Sequence, residues 1–194
     1  PAAAPGLAAT RAPGSRTTTP AGLRPPGRRL HIAVIGEGLC SDRVARDAER
    51  VGAAIGRAGA VLLCGGLRGV MEAASRGAAR AGGTVVGLLP GFRAEDANPW
   101  VTIPIVTGMD QARNVILVRS ADAVVAVGGL YGTLSEIALA LKVGTPVVGL
   151  RTWRLQPPGR RRVPLLRAET AEEAVALALR AARRRSGGPA TWLA

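Results

Sequence analysis

Six short apolar runs, at residues 30–35, 61–64, 84–89, 101–106, 123–127 and 146–150, alternate with stretches whose apolar residues recur at helical spacing. No other feature restricts the fold as tightly. Runs that are apolar almost throughout read as strands buried on both faces, and strands separated by helix-length crossovers pair in parallel. Right-handed crossovers then predict an α/β architecture: a Rossmann-like, doubly wound, mainly parallel sheet with helices on both faces. One domain over residues 30–185 is expected, with ligands at the carboxyl ends of its strands.

The helical stretches carry their own signals. Val44, Ala48, Val51 and Ile55 recur after a Ser41 cap, and Val70, Ala74, Gly77, Ala78 and Ala81 form a small-residue stripe suited to packing on a sheet. Leu134, Ile137, Ala138 and Leu141 make a third apolar face. A helix over 110–120 is expected to turn Arg113, Ile116 and Leu117 inward. The last helix opens with a Thr170/Glu173 capping box, buries Val175 and Leu179, and ends in Arg183-Arg184-Arg185, which suits the negative end of its dipole. Residues 151–169 read as an irregular connection. Residues 1–29, rich in Pro, Ala and Arg, read as a disordered tail, and 186–194 as a flexible one.

A net charge of +13 suggests a polyanion partner until it is located. Residues 30–150 carry 11 basic and 10 acidic side chains, whereas the first 29 carry five Arg and no acid, and 151–194 carry ten Arg against three Glu. The excess lies in the flanks, so a nucleic-acid partner is not expected. No apolar run approaches the ~18 residues of a spanning helix, so no membrane partner is expected. Cys40 and Cys64 lack metal-ligand spacing and the lone His31 cannot supplement them. They fit a reduced, cytosolic pair, with no metal site and no required cofactor.

Two glycine-rich turns carry the chemistry. The first is Cys64-Gly65-Gly66-Leu67-Arg68-Gly69; the second is Val127-Gly128-Gly129-Leu130-Tyr131-Gly132-Thr133. Each follows an apolar run and opens a helix. Such a turn presents unpaired N–H groups at the positive end of a helix dipole, which suits a phosphate. The turn at Gly36-Glu37-Gly38 starts like a dinucleotide fingerprint, but Ser41 replaces its third glycine and no acid follows where a ribose would be held. In the second turn, Thr133-Leu134-Ser135-Glu136 reads equally as a capping box or as a carboxylate beside the sugar of a bound nucleotide. Arg113, at a helix start, needs an anion: Asp110, Glu136 or a ligand phosphate.

Taken in order, Gly65-Gly66…Gly69-Val70-Met71, Gly108-Met109…Ala112-Arg113-Asn114 and Gly128-Gly129-Leu130-Tyr131-Gly132-Thr133-Leu134-Ser135-Glu136 resemble the LOG (lysine decarboxylase-like, SLOG) superfamily over residues 30–150. The most similar branch is that of the molybdenum cofactor carrier proteins and their bacterial relatives. The resemblance implies homo-oligomers and a nucleotide or phosphate pocket. In LOG enzymes, which release a free base from nucleoside 5′-monophosphates, the catalytic Arg and Glu would fall on Arg113 and Glu136. The phosphate-binding residues would fall on Gly128, Gly129, Gly132 and Thr133.

This chain departs from the enzyme motif at three places. Two residues, Leu130 and Tyr131, separate the glycine pair from Gly132-Thr133 where the enzymes have one. Val127 replaces a proline, and Asn114 replaces a basic residue. The expectation is therefore a cytosolic, homo-oligomeric binding protein for a phosphorylated, nucleotide-like ligand, with a bound nucleotide or the molybdenum cofactor as candidates. Ligand contacts are expected from Gly65, Gly66, Gly69, Gly128, Gly129, Gly132 and Thr133. The alternative is a 5′-monophosphate phosphoribohydrolase using Arg113 and Glu136.

Overall fold

Seven strands form one sheet: β1 (His31–Gly36), β2 (Val61–Cys64), β3 (Val85–Leu89), β4 (Ile103–Val106), β5 (Ala123–Val127), β6 (Val147–Leu150) and β7 (Leu165–Ala168). Their spatial order is β4-β3-β2-β1-β5-β6-β7, and every neighbouring pair is parallel. The computed structural model describes residues 28–156, 159 and 163–185. The tails expected over 1–29 and 186–194 lie outside the described residues, apart from Arg28 and Arg29. Arg28 pairs with Asp122 at 2.8 Å, and Arg29 donates to the Gly59 carbonyl at 3.0 Å.

Five helices cover the sheet: α1 (Asp42–Arg57), α2 (Val70–Arg80), α3 (Arg113–Ser120), α4 (Tyr131–Lys142) and α5 (Ala171–Arg185). Alternate residues of each central strand point to opposite faces. Ile32, Val34, Leu62 and Val125 enter the core under α1, α2 and α5, while Ala33, Ile35, Leu63 and Val124 enter the core under α3 and α4. A fully buried Val, Leu or Ile contributes about 1.5–3 kcal/mol. This two-sided burial explains why the strands are apolar throughout.

Several local expectations need correction. The connection read as irregular contains β7, whose Leu165 and Leu166 pair with Val147 and Val148 of β6; four residues with one Arg gave no alternation to read. The small-residue stripe of α2 packs on a helix as well as on the sheet. A Cβ on Gly77 would lie 1.9 Å from the Glu49 carbonyl oxygen, and one on Gly52 1.9 Å from that of Ala74, so α1 and α2 cross in backbone contact. In α3 the buried side chains are Arg113, Asn114, Leu117 and Val118, and Ile116 is 39% exposed. Residues 115–118 are all apolar, so periodicity could not choose the face. On α4 the buried face is Thr133, Glu136, Ile137 and Ala140, and Ala138 points outward. The Ser41 and Thr170 caps form as expected, accepting from the Val44 and Glu173 amides. No helix among the described residues is long and apolar enough to cross a membrane.

Candidate functional site

Strand order reverses at β1, whose neighbours are β2 and β5, and helices leave that point on opposite faces. Such a switch opens a crevice at the carboxyl ends of the strands. A cavity of about 400 Å³ lies there. Its walls are residues 36–39 at the end of β1, Leu67 from the first glycine turn, Met71 from the start of α2, Gln111, Arg113 and Asn114 around the start of α3, and Leu130, Gly132, Thr133 and Glu136 around the start of α4.

Arg113 and Glu136 meet across this cavity, with Nη1 of Arg113 3.7 Å from Oε1 of Glu136. They are only 7% and 8% exposed. The partner of Arg113 is thus Glu136, together with the Asn114 side-chain oxygen that accepts from its Nη1. Asp110 makes no ion pair with it among the described residues. Burial lowers the Arg113 pKa against the pull of Glu136. Burial also pushes Glu136 up to about 7, with Arg113 acting against that rise. The pair is therefore short of full charge compensation. Nε of Arg113 is buried and has no hydrogen-bond partner. Orphaned buried donors are rare and cost about 1–3 kcal/mol, so this guanidinium is left under-satisfied beside the cavity.

The second glycine turn is not a capping box. Helix α4 starts at Tyr131, so Thr133 and Glu136 lie inside it, and Leu130 at the cap makes no side-chain bond to the first turn. The early N–H groups of α4 therefore have no intrahelical partner, and Gly132 and Thr133 border the cavity. Glu136, freed from capping, turns toward Arg113.

The remaining glycines expected as ligand contacts are not among the residues lining this cavity. A Cβ on Gly65 would lie 2.5 Å from Nη2 of Arg113, so the bare backbone makes room for the guanidinium. Gly66 and Gly69 have φ of 74° and 67°, and Gly128 and Gly129 have φ of 58° and 106°, values that favour glycine. A Cβ on Gly129 would also strike the Thr133 side chain at 2.4 Å. Gly65→Ala is expected to keep the fold, because the obstructing atoms are flexible side-chain ends, and to weaken ligand binding about tenfold by displacing Arg113. Calorimetry alongside thermal melts checks this.

Sequence reasoning passed over Leu67, Met71, Gln111 and Trp153. Trp153 donates from Nε1 to the Leu130 carbonyl at 3.2 Å, and its ring lies 5.8 Å from that of Tyr131. The extra residue of the second turn is thus pinned from outside, leaving Tyr131 80% exposed. With only three Trp, one Tyr and one Phe in the chain, each aromatic was a signal that something specific was being held. Cys64 is buried, its thiol raised by that burial, and its sulfur accepts from the Gly66 amide at 3.3 Å; both cysteines are free.

The model of the SLOG cluster4 family matches residues 29–180. The chain belongs to the SLOG cluster4 family. An uncharacterized protein of Archaeoglobus fulgidus is 51% identical to this SLOG cluster4 chain over 123 residues, covering 63% of it and 80% of the relative. The molybdenum cofactor binding protein of the phototrophic bacterium Rippkaea orientalis has a similar structure, with a TM-score of 0.71 and 36% identity over 78% of this chain and 96% of that one. The molybdenum cofactor carrier protein MCP of Chlamydomonas reinhardtii matches with a TM-score of 0.71 and 36% identity, over 79% of this chain and 98% of that one. The resemblance drawn from the glycine turns and Arg113 thus points to the right superfamily and the right branch.

Proposed function

We propose that this chain is a carrier that binds a phosphorylated, nucleotide-like small molecule in the cavity between β1 and β5, with the molybdenum cofactor as its cargo. The observation that carries the reading is the under-satisfied guanidinium of Arg113 in the wall of a cavity that also borders the uncapped start of α4. A guanidinium and helix-start amides suit a phosphate group. Gly132 offers the amides without a side chain in the way, and Thr133 adds a hydroxyl. Leu67, Met71 and Leu130 supply apolar wall for a flat ring system such as a pterin or a base. The likeness to two molybdenum cofactor proteins, each matched over nearly its whole length, supports the choice of cargo.

A second reading, hydrolysis of nucleoside 5′-monophosphates, is favoured by the Arg113–Glu136 pair. Glu136 would stabilise the ribosyl cation and Arg113 would hold the phosphate or Glu136. One experiment separates the two. Protein purified from a host that makes the cofactor is oxidised and assayed for pterin fluorescence, and the same protein is incubated with a panel of nucleoside 5′-monophosphates. Stoichiometric pterin without base release supports the carrier. Base release that Glu136→Ala abolishes replaces the carrier reading with the hydrolase.

A further inference from the structure

Asn98 is a buried polar side chain, 7% exposed, that stands outside the wall of the ligand cavity. It belongs to the connection between β3 and β4. Its Nδ2 donates to the Gly66 carbonyl at 3.1 Å and to the Leu67 carbonyl at 2.9 Å, and its backbone amide donates to Gly66 at 2.8 Å. Its Oδ1 accepts from the Trp100 amide at 3.2 Å. Carbonyls only accept and a backbone amide only donates, so a single orientation of the side-chain amide satisfies all three partners. Aspartate has no hydrogen for the carbonyls, and serine has one.

The connection is anchored on its other side as well. The Arg80 guanidinium lies over the Trp100 ring, 5.3 Å from its centre, and Arg80 pairs with Glu49 at 3.0 Å. Asn98 thus ties the first glycine turn to a segment that is itself held by α1 and α2.

Peptide geometry shows what this tie does. Every peptide bond among the described residues is trans, and in a trans peptide the N–H points opposite to the carbonyl before it. The carbonyls of Gly66 and Leu67 turn to Asn98, so the amides of Leu67 and Arg68 face away from it. Asn98 borders a separate cavity of about 610 Å³, and Leu67 lies between that cavity and the ligand cavity, bordering both. The Arg68 amide has no hydrogen-bond partner among the described residues.

We propose that Asn98 is a positioning residue of the ligand site. It turns the amides of Leu67 and Arg68 toward the ligand cavity, where they donate to acceptors on the edge of the bound ring. The inference rests on the reading of that cavity as a site for a phosphorylated, ring-bearing ligand. Arg113 and the second glycine turn take the phosphate end, and the first glycine turn takes a ring oxygen or ring nitrogen at the other.

Titration of the full chain with guanosine 5′-monophosphate and with inorganic phosphate tests this. Guanine contains the amino-oxo-pyrimidine ring of a pterin and presents the same acceptors. In amide NMR spectra of isotope-labelled wild type, Leu67 and Arg68 are expected to shift with the nucleotide and not with phosphate, while Gly132 and Thr133 shift with both. Asn98→Asp keeps an acceptor for the Trp100 amide and loses the donors. It is expected to weaken nucleotide binding about tenfold and to leave phosphate binding unchanged. Asn98→Ser, with one donor, is expected to fall between. Equal loss of both affinities would make Asn98 a stabiliser of the fold and overturn the proposal. Unmoved Leu67 and Arg68 amides, or wild-type nucleotide affinity in Asn98→Asp, would overturn it while the phosphate site stands. A wild type that takes up neither probe would overturn the reading of the cavity and this inference with it.

Discussion

Gly132→Asp is expected to leave the thermal stability of the domain unchanged or slightly raised while weakening phosphorylated-ligand binding about 100-fold or more. The two effects separate because of where Gly132 sits. It is exposed in the first turn of α4, its φ is not positive, and a Cβ there would meet nothing within 4 Å. The helix loses a glycine and gains a carboxylate at the positive end of its dipole, each worth a few tenths of a kcal/mol. Yet the same residue lines the cavity, so the new charge faces the ligand phosphate. Gly132→Ala is the control, with binding retained and the melting temperature raised. Gly129 is a poorer probe, because its φ of 106° and its contact with Thr133 would strain any other residue. Wild-type affinity in Gly132→Asp would remove the second glycine turn from the site.

Glu136→Gln carries the second large effect, on stability. The folded Glu136 has its pKa raised to about 7 from the usual 4.5. Below pH 4.5 both folded and unfolded chains hold this proton, and the group contributes no difference. As pH rises from 4.5 to 7 the unfolded chain ionises first, so wild-type stability falls across that window, by about 3 kcal/mol in all. Above pH 7 the deficit is constant. Glutamine mimics the protonated form and escapes the penalty. The variant and the wild type are therefore expected to melt together near pH 4, and the variant to melt roughly 6–12 °C higher at pH 8. Equal melting temperatures at pH 8 would mean that Glu136 is solvated. Such a penalty at neutral pH fits the role in the cavity proposed for Glu136.

The fold was legible because strands buried on both faces must be apolar throughout, and β1, β2 and β5 are. What could not be read was any face chosen among equally apolar residues. Val115 to Val118 of α3 gave no phase, and on α4 the expected face held for Ile137 and Leu141 but not for Ala138, while Thr133 and Glu136 were buried beside it. The α4 start was misplaced for a related reason: Thr133 and Glu136 have capping-box spacing, but the backbone had already entered the helix at Tyr131. At the site, Arg113, Glu136, Gly132 and Thr133 were findable because charged and glycine residues are conspicuous at strand ends. Leu67 and Met71 were not, since an apolar side chain lining a cavity looks like one filling a core. The supporting glycines illustrate the same limit, because a glycine at 65 does not say whether a ligand or a guanidinium occupies the space beside it.

The placement of β5 beside β1 has a further consequence. Ile32 pairs with Ala123 and Gly36 with Val127, so the central seam of the sheet joins residues some 91 positions apart. Closing so long a loop is entropically slow, and folds dominated by such contacts assemble later than those built from local ones. The first strands and α1 and α2 can zip up in order along the chain, but Arg113 and Glu136 come together only once that seam is sealed. A nascent chain that stops before β5 is thus expected to lack the binding cavity. Acquisition of ligand binding during refolding would report the final step of folding, and cargo in excess would draw the chain toward completion.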